Sequence, residues 1–220
     1  MPKVKNLAKN NKNTPFFIPK ITKDDQTKML EIFNSPILTN GPNTKKFENM
    51  FTKFTNSNYA TAVSNATSAL HLSLIALGIG KNDEVIVPNM TFLATANSVL
   101  MTGATPVLAD VSLNDHNISI DSIKNSLTKK TKAIIPVHLA GKSCIMDDIV
   151  KIAKKNNLYI IEDCAHAIGT KFKNQHVGTF GESACFSFYP TKNITTLEGG
   201  MIISNSKKIS DLTKILRNHG

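Results

Sequence analysis

Short apolar runs of strand length recur along this chain with helix-length stretches between them, and that rhythm restricts the fold more than any other feature. The runs are "YATAVS" (59–64), "DEVIVP" (83–88), "TPVLADV" (105–111), "TKAIIPVHL" (131–139) and "LYIIED" (158–163). "NATSALHLSLIALGIG" (65–80) and "TFLATANSVLMTG" (91–103) both read as helices stopped by glycine, and 119–128 and 145–157 as two more. Two helices precede the first strand. "KDDQTKMLEIFN" (23–34) has Met29, Leu30 and Phe33 at helical spacing, and "TKKFENMFTKF" (44–54) has Phe47, Phe51 and Phe54 on one face. After residue 169 come shorter strand-rich pieces, "SACFSFY" (183–189) and "GGMIISN" (199–205), then an amphipathic stretch over 206–217. Strands that are apolar throughout, rather than alternating, look like strands covered on both faces. With helices between them, the order predicts an α/β domain, a mostly parallel sheet between helical layers. Residues 1–14 read as a basic, disordered arm, and 15–220 as the domain.

The 220 residues suffice for a sizeable core, and 41% hydrophobic with 19% charged residues is ordinary globular composition. The N-terminus lacks the apolar segment of a signal peptide, and no run of about 18 apolar residues exists, so neither secretion nor membrane spanning is expected. Three widely spaced cysteines (Cys144, Cys164, Cys185) fit a reducing compartment better than a disulfide framework, which places the chain in the cytoplasm. The formal charge is +10, but the lysines are scattered and Arg217 is the only arginine. That pattern is a solvated basic surface and not a stripe for specific nucleic-acid binding.

In parallel sheets, ligands gather at the carboxyl ends of the strands. Three segments fall there. "VSNATSAL" leaves a strand and opens a helix, so its amides and the hydroxyls of Thr67 and Ser68 suit a phosphate, although the same residues make an ordinary helix cap. No G-x-G-x-x-G or Walker loop is present. "YIIEDCAHAIG" puts Glu162 and Asp163 at the end of a buried strand, where a carboxylate needs a partner or serves as a cap. His166 by itself reads as structural, and a zinc site from His138, Cys164, His166 and Cys185 matches no ligand spacing. "FSFYPTKNITTLEGG" (186–200) sets Ser187 and Lys192 around a strand-to-turn transition. A phosphate cradle, a buried carboxylate and a partly desolvated lysine together describe pyridoxal phosphate chemistry, in which a lysine binds the cofactor and an acid holds its ring nitrogen protonated.

Those segments carry a resemblance. "ILTNGPNTKKFE", "AVSNATSALHLSLIALGIGKNDEVIVPNMTFLATANSVLMTGATPVLADV", "KTKAIIPVHLAGKSCIMDDIVKIAKKNNLYIIEDCAHAIGT" and "FSFYPTKNITTLEGGMI" resemble, in order, the DegT/DnrJ/EryC1/StrS family of pyridoxal 5'-phosphate-dependent nucleotide-sugar aminotransferases. The resemblance runs from Phe16 onward and implies the large domain of the aspartate aminotransferase (type I) fold. It makes Lys192 the Schiff-base lysine and Asp163 the partner of the pyridine nitrogen. It puts His166 beside the ring, Phe92 stacked on it, and Thr67, Ser68 and Ser187 on the phosphate. Relatives with histidine in place of this lysine are dehydratases, so Lys192 implies transamination.

The resemblance further implies a nucleotide-linked keto-sugar as substrate, glutamate as amino donor, and a homodimer whose partner completes each site. "KNITTLEGG" is more similar to members that aminate C4 of 4-keto-6-deoxy sugars, though Leu197 stands where a small residue is common. The family runs past "LRNHG" into a smaller C-terminal domain, so these 220 residues alone are expected to be poorly soluble or inactive. A non-catalytic or regulatory protein of the same fold would be favoured by loss of Lys192 or Asp163, and both are present.

Overall fold

A computed structural model of the protein describes residues 17–219, so the expected basic arm over 1–14 lies outside the described residues. The helices are α1 (Lys23–Phe33), α2 (Pro42–Thr55), α3 (Ala66–Ala76), α4 (Ala94–Met101), α5 (Ile120–Asn125), α6 (Met146–Asn156) and α7 (Lys207–Leu216). The strands are β1 (Tyr59–Val63), β2 (Glu84–Pro88), β3 (Thr105–Ala109), β4 (Thr131–Ile134), β5 (Tyr159–Asp163), β6 (Lys171–Phe172), β7 (Gln175–His176), β8 (Ser183–Ser187) and β9 (Gly200–Ser204). Seven strands form one sheet in the order β1-β9-β8-β5-β4-β2-β3, and β6 and β7 make a separate small hairpin. Only β9 runs against the others: it pairs antiparallel with both β1 and β8, while β8, β5, β4, β2 and β3 pair in parallel. Strands β1, β2, β3, β4, β5 and β8 therefore all end at one edge.

Alternation along the strands sorts side chains to two faces. Val85, Val87, Ala133, Ile135, Ile161, Cys185 and Ile202 pack under α3 and α4, against Leu70, Leu74 and Val99. On the opposite face, Ile86, Ile134 and Ile160 meet α5 and α6 through Ile123, Met146 and Ile149. Phe186, Phe188, Met201 and Ile203 meet Phe51 of α2 on that face. The Phe51 and Phe186 rings lie 5.0 Å apart in a T-shaped contact, a geometry favoured by the aromatic quadrupole. The phenylalanines of "FSFY" are thus core on one face, and Ser187 between them belongs to the other.

Three expectations are corrected by packing. The "TPVLADV" run is an edge strand and not a doubly covered one: β3 closes the sheet, and Leu108 is 62% exposed. "TKAIIPVHL" is a continuous strand only over Thr131–Ile134: Pro136 has no N–H for the ladder, and beyond it Val137 pairs with Asp163 as an isolated bridge. The helix expected over 91–103 begins at Ala94, leaving Thr91 and Phe92 in the preceding turn. Helix α1 forms as expected, with Thr22 and Asp25 closing a capping box, but none of its residues is buried. Its spacing placed Met29, Leu30 and Phe33 on one stripe, and among the described residues that stripe has no cover.

Helix α7 packs against the first strand, where the Thr213 hydroxyl donates to that of Thr61 at 3.2 Å, and an ion pair ties its end to α2. Arg217 pairs with Glu48 of α2 and donates from Nη1 to the Ala62 carbonyl at 3.2 Å. Glu48 Oε1 also accepts the Ala62 amide at 2.9 Å. Glu48 is buried, so removing its cation leaves a carboxylate without a counter-charge. Arg217→Ala is expected to cost about 3 kcal/mol of folding stability. Urea unfolding of the two proteins checks this; a loss below about 0.5 kcal/mol, the size of an ordinary surface change, overturns it.

Candidate active site

Strand β5 ends in two carboxylates, and the period of two sends them to opposite faces. Asp163 follows Ile161 to the side of α3 and α4 and is only 5% exposed. Its Oδ2 accepts the Thr95 hydroxyl at 2.9 Å, and its Oδ1 accepts the Ala165 amide at 3.1 Å. Two donors leave a carboxylate with lone pairs to spare. Glu162 points the other way and is saturated. It takes the amides of Gly178 (2.7 Å), Phe180 (2.8 Å) and Gly181 (3.0 Å), and His138 Nε2 at 3.1 Å. Since His138 Nδ1 accepts the Cys144 amide at 3.1 Å, its proton sits on Nε2 and is donated to Glu162.

Lys192 leaves the end of β8 on a loop closed upon itself. The Lys192 amide donates to the Tyr189 carbonyl at 2.9 Å, a β-turn with Pro190 in the position its fixed φ favours. The Phe188 carbonyl accepts both the Thr196 amide (3.1 Å) and the Thr195 hydroxyl (2.8 Å), and the Phe188 amide reaches the Gly199 carbonyl at 2.9 Å. Residues 189–198 are thereby held as one tied loop at the sheet edge. Leu197 within it has φ 71°, the left-handed region that glycine enters without steric cost.

The amino end of α3 faces the same edge. Asn65 caps it by accepting the Ser68 amide at 2.8 Å, and the Ser68 hydroxyl lies 3.1 Å from that of Ser64. The amides of Ala66 and Thr67 have no acceptor within the helix, which with the helix dipole suits an anion. Gly200 at the start of β9 is what lets the strand come so close. A Cβ there would collide with the Asn65 carbonyl and sit 2.8 Å from the Ala66 nitrogen. Ser187, one strand over, is partly exposed on this same face. Phe92, in the turn after β2, is an exposed aromatic surface, 76% accessible.

His166 lies just past Asp163, its Nδ1 accepting the Ala140 amide at 3.3 Å. Burial pushes the His166 imidazole below its ordinary pKa, the nearby Lys192 charge adds to that, and Asp163 opposes both. Burial likewise lowers the Lys192 ammonium, again against Asp163. Lys192, Asp163 and His166 are therefore within electrostatic reach of one another. A cleft of about 540 Å³ runs from His166 and Gly141 to Lys192, and another of about 860 Å³ lies between Lys192 and the α1 segment. They share Thr191, Lys192 and Asn193, and neither is lined by Asp163 or Phe92.

All seven residues singled out from sequence thus lie at the carboxyl edge of the sheet. The imagined zinc set does not assemble. Only His138 and Cys164 of it come together, with Glu162 as third member, and all three are buried. The Glu162 and His138 donors and acceptors are already used, and burial first, then Glu162 and Asp163, holds the Cys164 thiol protonated. Sequence reasoning missed Thr95, the hydroxyl on Asp163. Its only sequence signal is a threonine one helical turn after Thr91, which any helix surface could carry.

A family model for DegT/DnrJ/EryC1/StrS aminotransferases matches residues 19–220. The chain belongs to this family. It is 46% identical over 201 residues to the GDP-perosamine synthase of Escherichia coli O157:H7, covering 91% of this chain and 55% of that protein. The crystal structure of the aminotransferase from Psychrobacter cryohalolentis superposes with a TM-score of 0.88 at 41% identity, over 94% of this chain and 53% of the other. The pyridoxal phosphate form of Spr1654 from Streptococcus pneumoniae gives 0.90 at 33%, over 94% and 58%. The chain spans about half the length of the relatives it matches. The fold is the large domain of these enzymes, a mostly parallel sheet between helices.

The family uses pyridoxal phosphate, and the donor set here fits that group. Spare carboxylate lone pairs suit a protonated ring nitrogen, the open α3 amides suit a phosphate, Phe92 offers a stacking face, and Lys192 an amine of lowered basicity. Only the neutral amine captures an aldehyde. The rate at which the chain captures pyridoxal phosphate, less that of Lys192→Ala, should therefore rise with pH about a midpoint below the ordinary lysine value of 10.5. Asp163 stabilises the ammonium, so Asp163→Asn should move the midpoint further down. A midpoint at the ordinary value, or an upward move in Asp163→Asn, overturns this reading.

Proposed function

We propose that this chain is the cofactor-holding part of a pyridoxal phosphate-dependent aminotransferase that converts a keto group on a nucleotide-linked sugar into an amine. The observation that carries the reading is a half-buried Lys192 amine within electrostatic reach of the buried Asp163 carboxylate at one sheet edge. Family membership and the relative named GDP-perosamine synthase support a nucleotide sugar as substrate. The turn "KNITTLEGG" favours a 4-keto-6-deoxy sugar, and glutamate is the donor we propose. The resulting amino sugar would enter polysaccharide biosynthesis, and a second copy of the protein would complete each site.

When bound, pyridoxal phosphate supplies an electron sink for the negative charge that develops on the amine-bearing carbon. The chain's own residues do the rest. The α3 amides with Thr67, Ser68 and Ser187 would hold the phosphate, and Phe92 and His166 would fix the plane of the ring. The Asp163 carboxylate, screened from water, would keep a proton on the ring nitrogen by hydrogen bond and charge. Lys192 would hold the cofactor between turnovers, and its Nζ would accept the proton leaving the donor's α-carbon and, in the second half-reaction, deliver a proton to the sugar carbon that gains the amine.

Lys192→Ala should lose both the visible absorption band of lysine-bound cofactor and amino transfer to a panel of nucleotide keto-sugars. Asp163→Asn should retain some cofactor while transfer falls by about three orders of magnitude, the size typical of a lost preorganised charge contact. An unchanged spectrum in Lys192→Ala shows the wrong lysine, and near-normal transfer in Asp163→Asn shows that the aspartate is structural.

A further inference from the structure

Thr95 is fully buried on α4, and its hydroxyl is the one side-chain donor to Asp163 among the described residues. The hydroxyl carries a single proton, and that proton goes to Asp163 Oδ2. The contact of 2.8 Å between the Thr91 and Thr95 hydroxyls must therefore be donated by Thr91. A directed chain results: Thr91 to Thr95 to Asp163. Its outer end sits beside Phe92 in the same turn, and the Thr95 amide bonds the Phe92 carbonyl at 3.0 Å. The carboxylate and the exposed aromatic ring are thus joined by two hydroxyls and one backbone bond.

Two features make this more than packing. Helix α4 has eight residues, several of them poor helix formers, so it is too short to persist alone. Its place comes from packing against α3 and the sheet, with Val99 in the core, together with the Thr95 contact. The other Asp163 donor, the Ala165 amide, is local to its own loop and fixes one oxygen only. Without Thr95, the carboxylate keeps one tether and can rotate about its last torsion.

We propose that Thr95 is a positioning residue for the cofactor site: with Thr91 behind it, it fixes the plane of the Asp163 carboxylate and locks it to the segment bearing Phe92. This rests on the reading that Asp163 faces the cofactor's ring nitrogen. Removing the hydroxyl without changing shape leaves a loosely held carboxylate that retains the ring less well. Hydrogen bonds to charged groups are the stronger kind, so Thr95→Val should weaken pyridoxal phosphate retention about tenfold or more. Thr95→Ser, which keeps the hydroxyl, should restore it. Thr91→Val, one step removed, should have a smaller effect.

The test measures the dissociation constant for pyridoxal phosphate, and the fraction of cofactor in the lysine-bound absorption band, for the wild type, the three threonine variants, Asp163→Asn and the Thr95→Val/Asp163→Asn double variant. If Thr95 acts through the carboxylate, Thr95→Val adds little to Asp163→Asn. Equal Thr95→Val effects in both backgrounds, or no rescue by Thr95→Ser, would mean a general packing role and overturn the proposal while leaving the cofactor reading intact. If Asp163→Asn alone retains cofactor like the wild type, the reading that Asp163 faces the ring nitrogen fails, and this inference with it.

Discussion

Asp163 carries its carboxylate at the end of a central strand with 5% of its surface exposed, and a charge so placed must be met by donors or by a cation. The surrounding structure supplies part of that and no more. One hydroxyl comes from α4 and one amide from the following loop, and Lys192 and His166 stand within electrostatic reach. The same carboxylate limits how far burial can depress the lysine. Burial makes the amine less basic, Asp163 makes it more so, and burial prevails. A lysine made less basic by burial is better suited to bonding an aldehyde than a fully solvated one.

Glu162, one residue earlier, shows how differently the sheet treats an adjacent group. Four donors fill its oxygens, so it functions as a staple: it pins the 178–181 loop to β5 and, through His138, the segment around Cys144. The segment from 138 to 142 then reaches His166 through the Ala140 amide. Ala140 has φ 51°, a backbone strain that a non-glycine residue bears only where its neighbours hold it. Leu197, on the other side of Lys192, is in a similar state. A left-handed backbone there suits glycine better than a leucine side chain. Strain on both sides of the lysine is stored in loops that the buried Glu162–His138 pair and the tied 188–199 loop keep in place.

Much of the site was legible in the sequence because its residues follow strands. Asp163 and Ser187 end apolar runs and Lys192 lies in the turn after one, Thr67 and Ser68 open a helix after another, and a parallel sheet brings such ends to one edge. Phe92 was different: its spacing fits a helix core, and only the resemblance singled it out. Thr95 was not legible at all. Its partner is 68 residues away, and nothing in "TFLATANSV" marks which threonine faces inward. The apolar stripe on α1 is the converse case, a pattern that predicts a helix without saying what covers it.

The sequence by itself determined the kinds of element and their order, because hydrophobic period, caps and turn residues act within a few positions of one another. It determined the chemical inventory too: one lysine in a tied turn, paired carboxylates, a hydroxyl-rich helix start. Only the tertiary structure decided that β9 inserts backwards between β1 and β8, that β3 lies at an edge, and which of two adjacent carboxylates keeps spare lone pairs. Those outcomes depend on strand neighbours far apart in sequence and on a one-residue alternation that assigns each side chain to a face. Local preferences cannot supply either, since the free energy that fixes them arises only when the faces are covered.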